Sequence, residues 1–442
     1  MAVIDDPVRR AAEAVARDSY GKLIAFLVAR TGDMAGAEDA LSDAFAAALA
    51  EWPGSGIPAN PRGWLATVAR RKQIDQLRRR RTRRDASDHV ALLARELDAA
   101  RSDSAAIPDE RLGLMFVCAH PAIDPVVRAP LMLRTVLGLD AATIASAFLV
   151  APGTMGQRLV RAQSRIKLAR IPFRVPEPAE LHDRLETVLD AIYAAFAAGW
   201  SDPAGTEVRR RDLAAEAIWL GRLTVSLLPA APGALTALAV PGTLAVPGAL
   251  AVPEALGLLA LMLYAEARRV ARRGVRGEYV PLADQDPKTW DQDMIGQAEG
   301  LLRRAGTFGV IGRFQLEAAI QSAHVVRRLT GHADWAAIEG LYGALIRLTD
   351  TPVVTINRAV AVAETQGIEA GLALLGTVAG DPRVAEYQPY WAARAGLLAR
   401  SGSAIAADAA YRRAIGLEAD PAVRGFLMRK QAELGSFGSV MP

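Results

Sequence analysis

The chain has 442 residues, of which 51% are hydrophobic and 23% are charged. This composition excludes a disordered chain, and the length predicts two or three domains rather than one. The formal net charge is only +4, yet basic residues are concentrated in segments 62–84 and 158–174. Two separate basic segments indicate two contacts with a polyanion, unless they are two solvated helix faces.

The cysteine content and the N-terminal residues indicate the cellular compartment of the protein. Cys118 is the only cysteine, which excludes an intramolecular disulfide and is typical of the reducing cytosol. The N-terminal residues are charged from Asp5 onward and lack an apolar stretch, so no secretory signal is expected. We therefore expect a cytoplasmic protein.

The composition favours an all-α fold, because Ala, Leu and Arg dominate and β-branched runs are sparse. Hydrophobic periodicity and proline- or glycine-rich breaks divide the chain into helical blocks and linkers. The expected order is a three-helix block at 1–84, a polar tether at 85–106, a second helical unit at 107–170, a proline-rich linker at 171–180 and consecutive amphipathic helices at 181–442. The first block is predicted to contain helices at 8–30, 35–52 and 62–81, with a Pro/Gly loop at 53–61.

Glycines divide the C-terminal helices at a regular distance. Gly402 separates two helices that carry small and aromatic residues at helical spacing, and Gly367 separates another pair. The spacing is close to the period of tetratricopeptide repeats. Because stacked helical repeats form concave peptide-binding surfaces, a protein or peptide ligand is predicted for this domain.

An uncharged segment runs from Leu223 to Pro253 and is long enough to cross a bilayer. It also contains repeated prolines, which interrupt any continuous helix. The triplet Ala-Val-Pro recurs at 239, 245 and 251. We predict a low-complexity insertion at about 230–253 rather than a membrane anchor.

The sharpest local signal lies in residues 128–168. An apolar helix ends at Gly138, a short helix opens at Asp140, and a long helix begins at Pro152. This is the layout of a helix-turn-helix, whose second helix enters the major groove of DNA. Arg and Gln side chains on such a helix contact base edges. The polar residues predicted to be exposed there are Gln157, Arg158, Arg161, Gln163 and Arg165. Lys167 would meet phosphate. The alternative is a basic surface helix of an ordinary α-helical bundle.

A second candidate nucleic-acid helix contains Trp64, the basic cluster 70–72 and the arginine run 78–81. A basic helix with an aromatic residue beside a flexible loop can hold a phosphate backbone while the loop accepts an unstacked base. The alternative role for Trp64 is packing in the core.

The remaining signals are interpreted as structural. Cys118 and His120 have no second ligand pair, and the acidic residues in 284–293 do not match a calcium loop, so capping and turn roles are preferred. The sequence contains no phosphate-binding loop, nucleophile elbow or zinc-protease helix. We therefore expect no active site, no metal and no cofactor, and a protein that is not an enzyme.

Residues 37–45, AEDALSDAF, resemble the helix of sigma region 2 that docks on the clamp coiled coil of core RNA polymerase. The resemblance implies contacts with core polymerase by Glu38, Asp39, Leu41, Asp43 and Phe45. Residues 64–81 are similar to the following helix, which helps to melt and read the −10 element. The implied −10 contacts are Trp64, Arg70, Arg71, Lys72 and Arg78. Many members of the family have Asn where this chain has Arg71.

Residues 128–168 resemble sigma region 4, which binds the −35 element and the polymerase flap. The residues that carry this resemblance are Ile144, Ala145, Pro152, Gly153, Thr154, Arg158, Leu159, Arg161 and Ala162. The implied −35 contacts are Thr154, Gln157, Arg158, Arg161 and Arg165.

Four more segments are similar to the extracytoplasmic-function sigma factors (group 4 of the sigma-70 family) that carry a C-terminal tetratricopeptide-like domain. These segments are 114–121, 171–176, 284–291 and 352–360. One departure is Phe196-Ala-Ala-Gly199, where the subgroup has an Asn-Glu pair before the glycine.

The resemblance implies a transcription initiation factor that binds core polymerase and promoter DNA and has no membrane partner. Region 2 would occupy 1–84, region 4 would occupy 107–170, and the repeat domain at 181–442 would regulate both in cis. A conventional helix-turn-helix regulator, with repeats that bind an effector or partner, is the alternative. A repeat scaffold with incidental DNA-like features is a third interpretation, and it predicts no salt-dependent affinity for DNA.

Overall fold

The computed structural model describes residues 7–81, 109–148, 150–200, 208–228, 251–349 and 351–437. Within these ranges the chain forms α-helices, three short 3₁₀ helices and no β-strand, apart from a single antiparallel bridge between Arg273 and Tyr279. The predicted all-α fold is therefore confirmed.

The chain divides into two compact units, Met1–Ala195 and Phe196–Pro442. The first unit contains α1 (Pro7–Thr31), α2 (Met34–Ser55), α3 (Pro61–Arg81), α4 (Arg111–Cys118), α5 (Pro125–Leu137), α6 (Ala141–Ala147), α7 (Pro152–Leu168) and most of α8 (Pro178–Trp200). We call α1–α3 the region 2 block and residues 109–170 the helix-turn-helix block.

Helices α2 and α3 of the region 2 block begin at residues that cap their free N–H groups. The Asp33 carboxylate accepts a hydrogen bond from the Gly36 N–H at 3.2 Å at the start of α2. The Asn60 side chain accepts a hydrogen bond from the Gly63 N–H at 3.0 Å. Asn60 immediately precedes α3, which begins at Pro61. All three helices form where the apolar periodicity predicts them, and α2 continues through Pro53 to Ser55.

The two helices of the predicted helix-turn-helix are present as α6 and α7, following α5. That they form a DNA-binding motif stays a prediction. Gly138, with a φ of 74°, ends α5 in the left-handed conformation that favours glycine. Asp140 caps α6 by accepting hydrogen bonds from the Thr143 N–H at 2.8 Å and the Thr143 hydroxyl at 2.7 Å. These hydrogen bonds hold the pKa of Asp140 below its ordinary value, and the hydrogen bond from the Thr143 N–H has the largest effect.

Helix α1 joins the two blocks, because it packs on α2 and α3 and also on α4 and α5. The sequence predicts separate units at 1–84 and 107–170, whereas the structure gathers both into one. The contact is close: a Cβ atom at Gly21 of α1 would lie 1.9 Å from the carbonyl oxygen of Val136 in α5. Only glycine allows the two backbones to approach so closely.

The predicted linker at 171–180 packs against the first unit. Ile171 and Pro176 are buried, and a side chain at Gly113 of α4 would touch the ring of Phe173. Helix α8 then continues the first compact unit to residue 195. The start of a repeat domain at residue 181 stays a prediction.

The second unit contains the remaining helices. These are α9 (Val208–Leu227), α10 (Ala251–Glu266), α11 (Gln292–Gly306), α12 (Arg313–Val325), α13 (Arg327–Thr330), α14 (Trp335–Ile346), α15 (Pro352–Thr365), α16 (Ile368–Thr377), α17 (Gln388–Arg400), α18 (Ala404–Leu417) and α19 (Pro421–Phe437). The predicted helix pairs around Gly367 and Gly402 are present as α15–α16 and α17–α18. Both glycines have positive φ. That these pairs are tetratricopeptide repeats stays a prediction.

Part of the predicted Ala-Val-Pro insertion is helical. Ala251, Val252 and Pro253 form the first turn of α10, where proline is tolerated because its N–H would have no partner in the helix. The rest of the insertion lies outside the described residues. No helix in the described part of the chain is long and apolar enough to cross a membrane.

Helix α10 is buried on all sides from Val252 to Tyr264. Its one acidic residue within that stretch, Glu254, caps α12: the carboxylate accepts hydrogen bonds from the N–H groups of Phe314 at 3.0 Å and Gln315 at 3.2 Å. Burial raises the pKa of Glu254, and these two hydrogen bonds oppose that rise. Gly312 precedes the helix because a Cβ there would collide with the Glu254 carboxylate.

Replacing Glu254 with Ala is expected to destabilise the second unit by about 1–3 kcal/mol, because two buried N–H groups lose their acceptor. Hydrogen exchange of the full chain, read on peptides that cover Arg313–Val325, should show faster exchange. Glu369→Ala, at an exposed position of α16, should change stability by less than about 0.5 kcal/mol. Equal effects of the two substitutions would contradict the capping role.

Candidate nucleic-acid interface

Helix α7 has one buried and one exposed face. Its apolar residues pack inward: Met155, Leu159, Ala162 and Ile166 are all buried. The predicted −35 contacts Thr154, Gln157, Arg161 and Arg165 are exposed, and Arg158 is half-buried. The structure therefore places all five on or beside a polar surface that is open to solvent in the first unit.

The start of α7 leaves its backbone accessible. Ala151 precedes the helix without a side-chain cap, and Pro152 occupies its first turn. Added Cβ atoms at Gly153 and Gly156 would meet nothing within 4 Å. Free N–H groups at a helix N-terminus favour negative charge, so this end of α7 is suited to approach a phosphate backbone.

Helix α3 carries the predicted −10 contacts. The Trp64 ring packs edge-on against the buried Trp52 ring, with 5.5 Å between the ring centroids and an interplanar angle of 65°. Trp64 itself is half-buried, so it contributes to packing while part of its surface stays accessible. Both interpretations of this residue, packing and stacking on a base, remain compatible with its position.

The basic residues of α3 extend a positive surface that α1 begins. Arg70 is half-buried, while Arg71 and Lys72 are exposed. Burial lowers the pKa of Arg30 in α1, and the nearby positive charge of Arg70 lowers it further. Arg78 lies in α3, but its side chain is outside the described residues.

The five predicted polymerase contacts on α2 do not share one environment. Asp39 and Asp43 are exposed one turn apart, and Phe45 is half-buried. Leu41 is fully buried among the helices of the region 2 block. The expected polymerase contact by Leu41 is therefore corrected: this side chain is a core residue, because it lies on the inward face of an amphipathic helix.

Glu38 differs from its neighbours because it faces the helix-turn-helix block. Its carboxylate lies 3.5 Å from the guanidinium of Arg134 in α5 and accepts a hydrogen bond from the Gln163 side chain of α7 at 3.2 Å. Only 13% of the Glu38 side chain is exposed. Burial raises the pKa of Glu38, whereas Arg134 and then Gln163 act against that rise.

Burial also raises the pKa of other side chains near Glu38. The pKa of Tyr20 in α1 is raised to about 12 by burial and then by the Glu38 charge. Burial also raises the pKa of Cys118 to about 12, and the Cys118 Sγ lies 3.1 Å from the Thr135 hydroxyl. Cys118 is thus a core thiol. The described residues contain no group of three or more His, Cys, Asp or Glu side chains that could hold a metal ion.

Sequence reasoning missed the partners of Glu38. The sequence predicts that Arg134 lies in an apolar helix and that Gln163 faces DNA. No local pattern reports this contact, since Glu38 and Gln163 are 125 positions apart. The acidic residues in 284–293 behave as expected: Asp286 and Asp291 cap the 3₁₀ turn and the helix that follow them.

Comparisons with known proteins agree with the N-terminal assignment. Residues 15–83 match the family model of sigma-70 region 2. Residues 184–241 and 242–306 match a family of unknown function, DUF6596. The break between these two matches falls within the predicted Ala-Val-Pro insertion.

One relative covers both units. The chain is 38% identical over 386 residues to the uncharacterized protein R00370 of Rhizobium meliloti (strain 1021), and the match covers 86% of each chain. No solved structure matches the chain. The chain belongs to the same family as this relative. The match to region 2 at residues 15–83 supports membership of the sigma-70 family, the RNA polymerase sigma factors that act in transcription initiation.

Proposed function

We propose that the protein is a sigma factor of the extracytoplasmic-function type, in which the helix-turn-helix block is sigma region 4. The observation that carries this proposal is the presence, in one chain, of a sigma-70 region 2 at 15–83 and of a helix-turn-helix with an exposed basic face. A conventional DNA-binding regulator accounts for the second feature and leaves the first unexplained.

In this proposal the two DNA-binding helices have separate tasks. Helix α7 enters the major groove of the −35 element, where Arg161 and Arg165 are exposed and Arg158 lies at the edge of the buried face. Helix α3 meets the −10 element, with Arg71 and Lys72 directed to solvent for phosphate contacts. The factor has no chemistry of its own, and promoter opening depends on the polymerase.

Core polymerase binds α2 in this proposal. Asp39 and Asp43 form an exposed acidic edge one helical turn long, and the half-buried Phe45 adjoins it. An acidic edge attracts a basic partner surface and raises the rate of association. The clamp coiled coil is the polymerase element that the family resemblance assigns to this helix.

We also propose that the second unit regulates the first in cis. The relative from Rhizobium meliloti aligns over 386 residues, which span both units. The two units are thus retained together in both chains. The ligand of the helical pairs α15–α16 and α17–α18 would be a protein or peptide segment.

Charge reversal on α2 tests core binding. Asp39→Lys combined with Asp43→Lys is expected to weaken the affinity of the full chain for bacterial core RNA polymerase by on the order of tenfold, which is about 1.4 kcal/mol. Biolayer interferometry against immobilised core polymerase measures this directly. Asp183→Lys, at an exposed position of α8, is the matched control and should bind like the wild type. An unchanged affinity of the double variant would place the polymerase contact elsewhere.

Arg158→Ala tests the reading of the −35 element. We expect a loss of about 1–3 kcal/mol in binding to promoter DNA, together with relaxed preference at one base position. Competition among duplexes with single-base changes measures both effects. Arg9→Ala, on the exposed side of α1, serves as the control. Uniform weakening on all sequences would instead show that Arg158 contacts only phosphate.

Truncation after Trp200 tests regulation in cis. This position keeps α8 with the first unit, whereas ending the chain at residue 180 would remove Leu185, Val188 and Ile192 from its core. We expect the shortened chain to differ from the full chain in the amount of transcription or in promoter choice. Identical transcripts from both, after circular dichroism has shown that the shortened chain is helical, would refute the regulatory role.

A further inference from the structure

A run of arginines follows the end of α10, and two of its members are paired with carboxylates. The Arg269 guanidinium lies 2.7 Å from the Glu266 carboxylate, and the Arg273 guanidinium lies 2.5 Å from the Asp420 carboxylate. All four side chains are largely shielded from water. A pair of this kind accommodates a cation away from solvent. An arginine in the same run that lacks such a carboxylate therefore calls for a different explanation.

Arg268 belongs to this run and is buried, with 9% of its surface exposed. Its Nε donates a hydrogen bond to the Tyr264 carbonyl at 3.2 Å, and its Nη2 donates one to the Gln321 side chain. Both acceptors are neutral, and no carboxylate in the described part of the chain forms an ion pair with Arg268. Its Nη1 has no acceptor among the described residues. Burying an unpaired cation destabilises a fold, so an anion that binds here would offset that cost.

A second guanidinium without a carboxylate lies near Arg268. Arg327 of α13 donates hydrogen bonds to the backbone carbonyls of residues 282, 283 and 285, which are all neutral. It also lies over the Trp290 ring, 5.5 Å from the ring centroid. The Trp290 Nε1 is buried and has no acceptor among the described residues. Two cations that no ion pair of the described chain neutralises thus lie beside a donor that lacks an acceptor.

The pKa values of neighbouring side chains reflect this accumulated positive charge. The pKa of Arg268 is lowered to about 10, first by burial and then by the charges of Arg272 and Arg327. The pKa of His324 in α12 is lowered to about 4, first by burial and then by the charges of Arg268 and Arg327. The His324 imidazole is therefore neutral at pH 7. Three guanidinium groups and a neutral imidazole meet at one place, and their summed charge attracts an anion.

We propose that Arg268, Arg272, Arg327 and His324 form a binding site for an oxyanion with two negative charges, such as a phosphate group or a dicarboxylate. We call these four residues the arginine site. Arg272, Arg327 and His324 are half-buried, so the site is open to solvent on the side away from Arg268. A guanidinium group binds phosphate or carboxylate through two parallel N–H···O hydrogen bonds, and the buried Arg268 supplies the charge that the anion neutralises.

The arginine site lies entirely within the second unit. It gives that unit a small ligand, in addition to the protein or peptide segment proposed for the helical pairs α15–α16 and α17–α18. The inference goes beyond the proposed function and does not rest on it, because binding of a small anion is measured without polymerase or DNA.

Thermal unfolding of the full chain in inorganic phosphate tests the arginine site. The Tm should rise with phosphate concentration, because a ligand that binds only the folded state stabilises it. Phosphate also stabilises proteins generally by exclusion from their surface, so the specific response is the part that saturates and exceeds potassium chloride at equal ionic strength. Succinate at equal ionic strength distinguishes a dicarboxylate ligand from a phosphate ligand. If neither anion gives a saturable response, the proposal is overturned.

Arg268→Met determines whether the response comes from this site. We expect the affinity for the anion to fall by on the order of tenfold or more, because the buried charge that binds it is removed. Arg304→Met removes one charge at an exposed position of α11 and should bind like the wild type. Without added anion, Arg268→Met should be at least as stable as the wild type, since an uncompensated buried charge is lost. Arg268→Gln keeps a hydrogen-bond donor and serves the same purpose if Arg268→Met folds poorly.

His324 supplies a second measurement that a purely structural role of Arg268 would not change. Its ring packs edge-on against Trp335 of α14, at 5.6 Å between the ring centroids, and is close to the charges of Arg268 and Arg327. NMR of the histidine-labelled full chain should show the His324 ring signals, assigned with His324→Gln, moving as phosphate or succinate is added. Lower stability of Arg268→Met with an unchanged anion response would make Arg268 a structural residue and overturn the proposal. Unmoved His324 signals in a chain whose Tm responds would place the anion elsewhere and overturn it as well.

Discussion

The crossing of α1 over α5 is the contact on which the first unit depends. Gly21 allows the α1 backbone to rest on the Val136 carbonyl, at a distance that any side chain would prevent. Since α1 also packs on α2 and α3, this crossing brings the sigma-70 region 2 helices against the helix-turn-helix. The two helices that we propose to bind DNA, α3 and α7, therefore lie in one compact unit.

The crossing has an electrostatic consequence for α2. It carries Arg134 and Gln163 to Glu38, so that a carboxylate on the proposed polymerase-binding helix becomes buried and paired. Burying a charge is costly unless it is paired and hydrogen-bonded, and here both partners come from the helix-turn-helix block. The remaining acidic residues Asp39 and Asp43 stay in solvent. One helix therefore has an intramolecular face and an open face.

Local chemistry explains which features the sequence predicts well. Asp33, Pro61, Asp140 and Pro152 mark helix starts through capping or fixed φ, so α2, α3, α6 and α7 begin where predicted. Long-range packing explains the rest. The packing of Ile171 and Pro176 and the contacts of Glu38 depend on helices distant in sequence, which no periodicity or turn signal reports. The helical start at Ala251 is not predicted, because repeated prolines indicate an interrupted helix whereas proline is tolerated in a first turn.

Transcription by purified components tests most directly the claim that this chain is a sigma factor. Bacterial core RNA polymerase would be incubated with the full chain and a library of genomic promoter fragments, and run-off transcripts would be sequenced. The account predicts new transcripts that start at shared promoter elements and are absent with core polymerase alone. No promoter-specific transcript from the full chain or from the chain ending at Trp200 would contradict it.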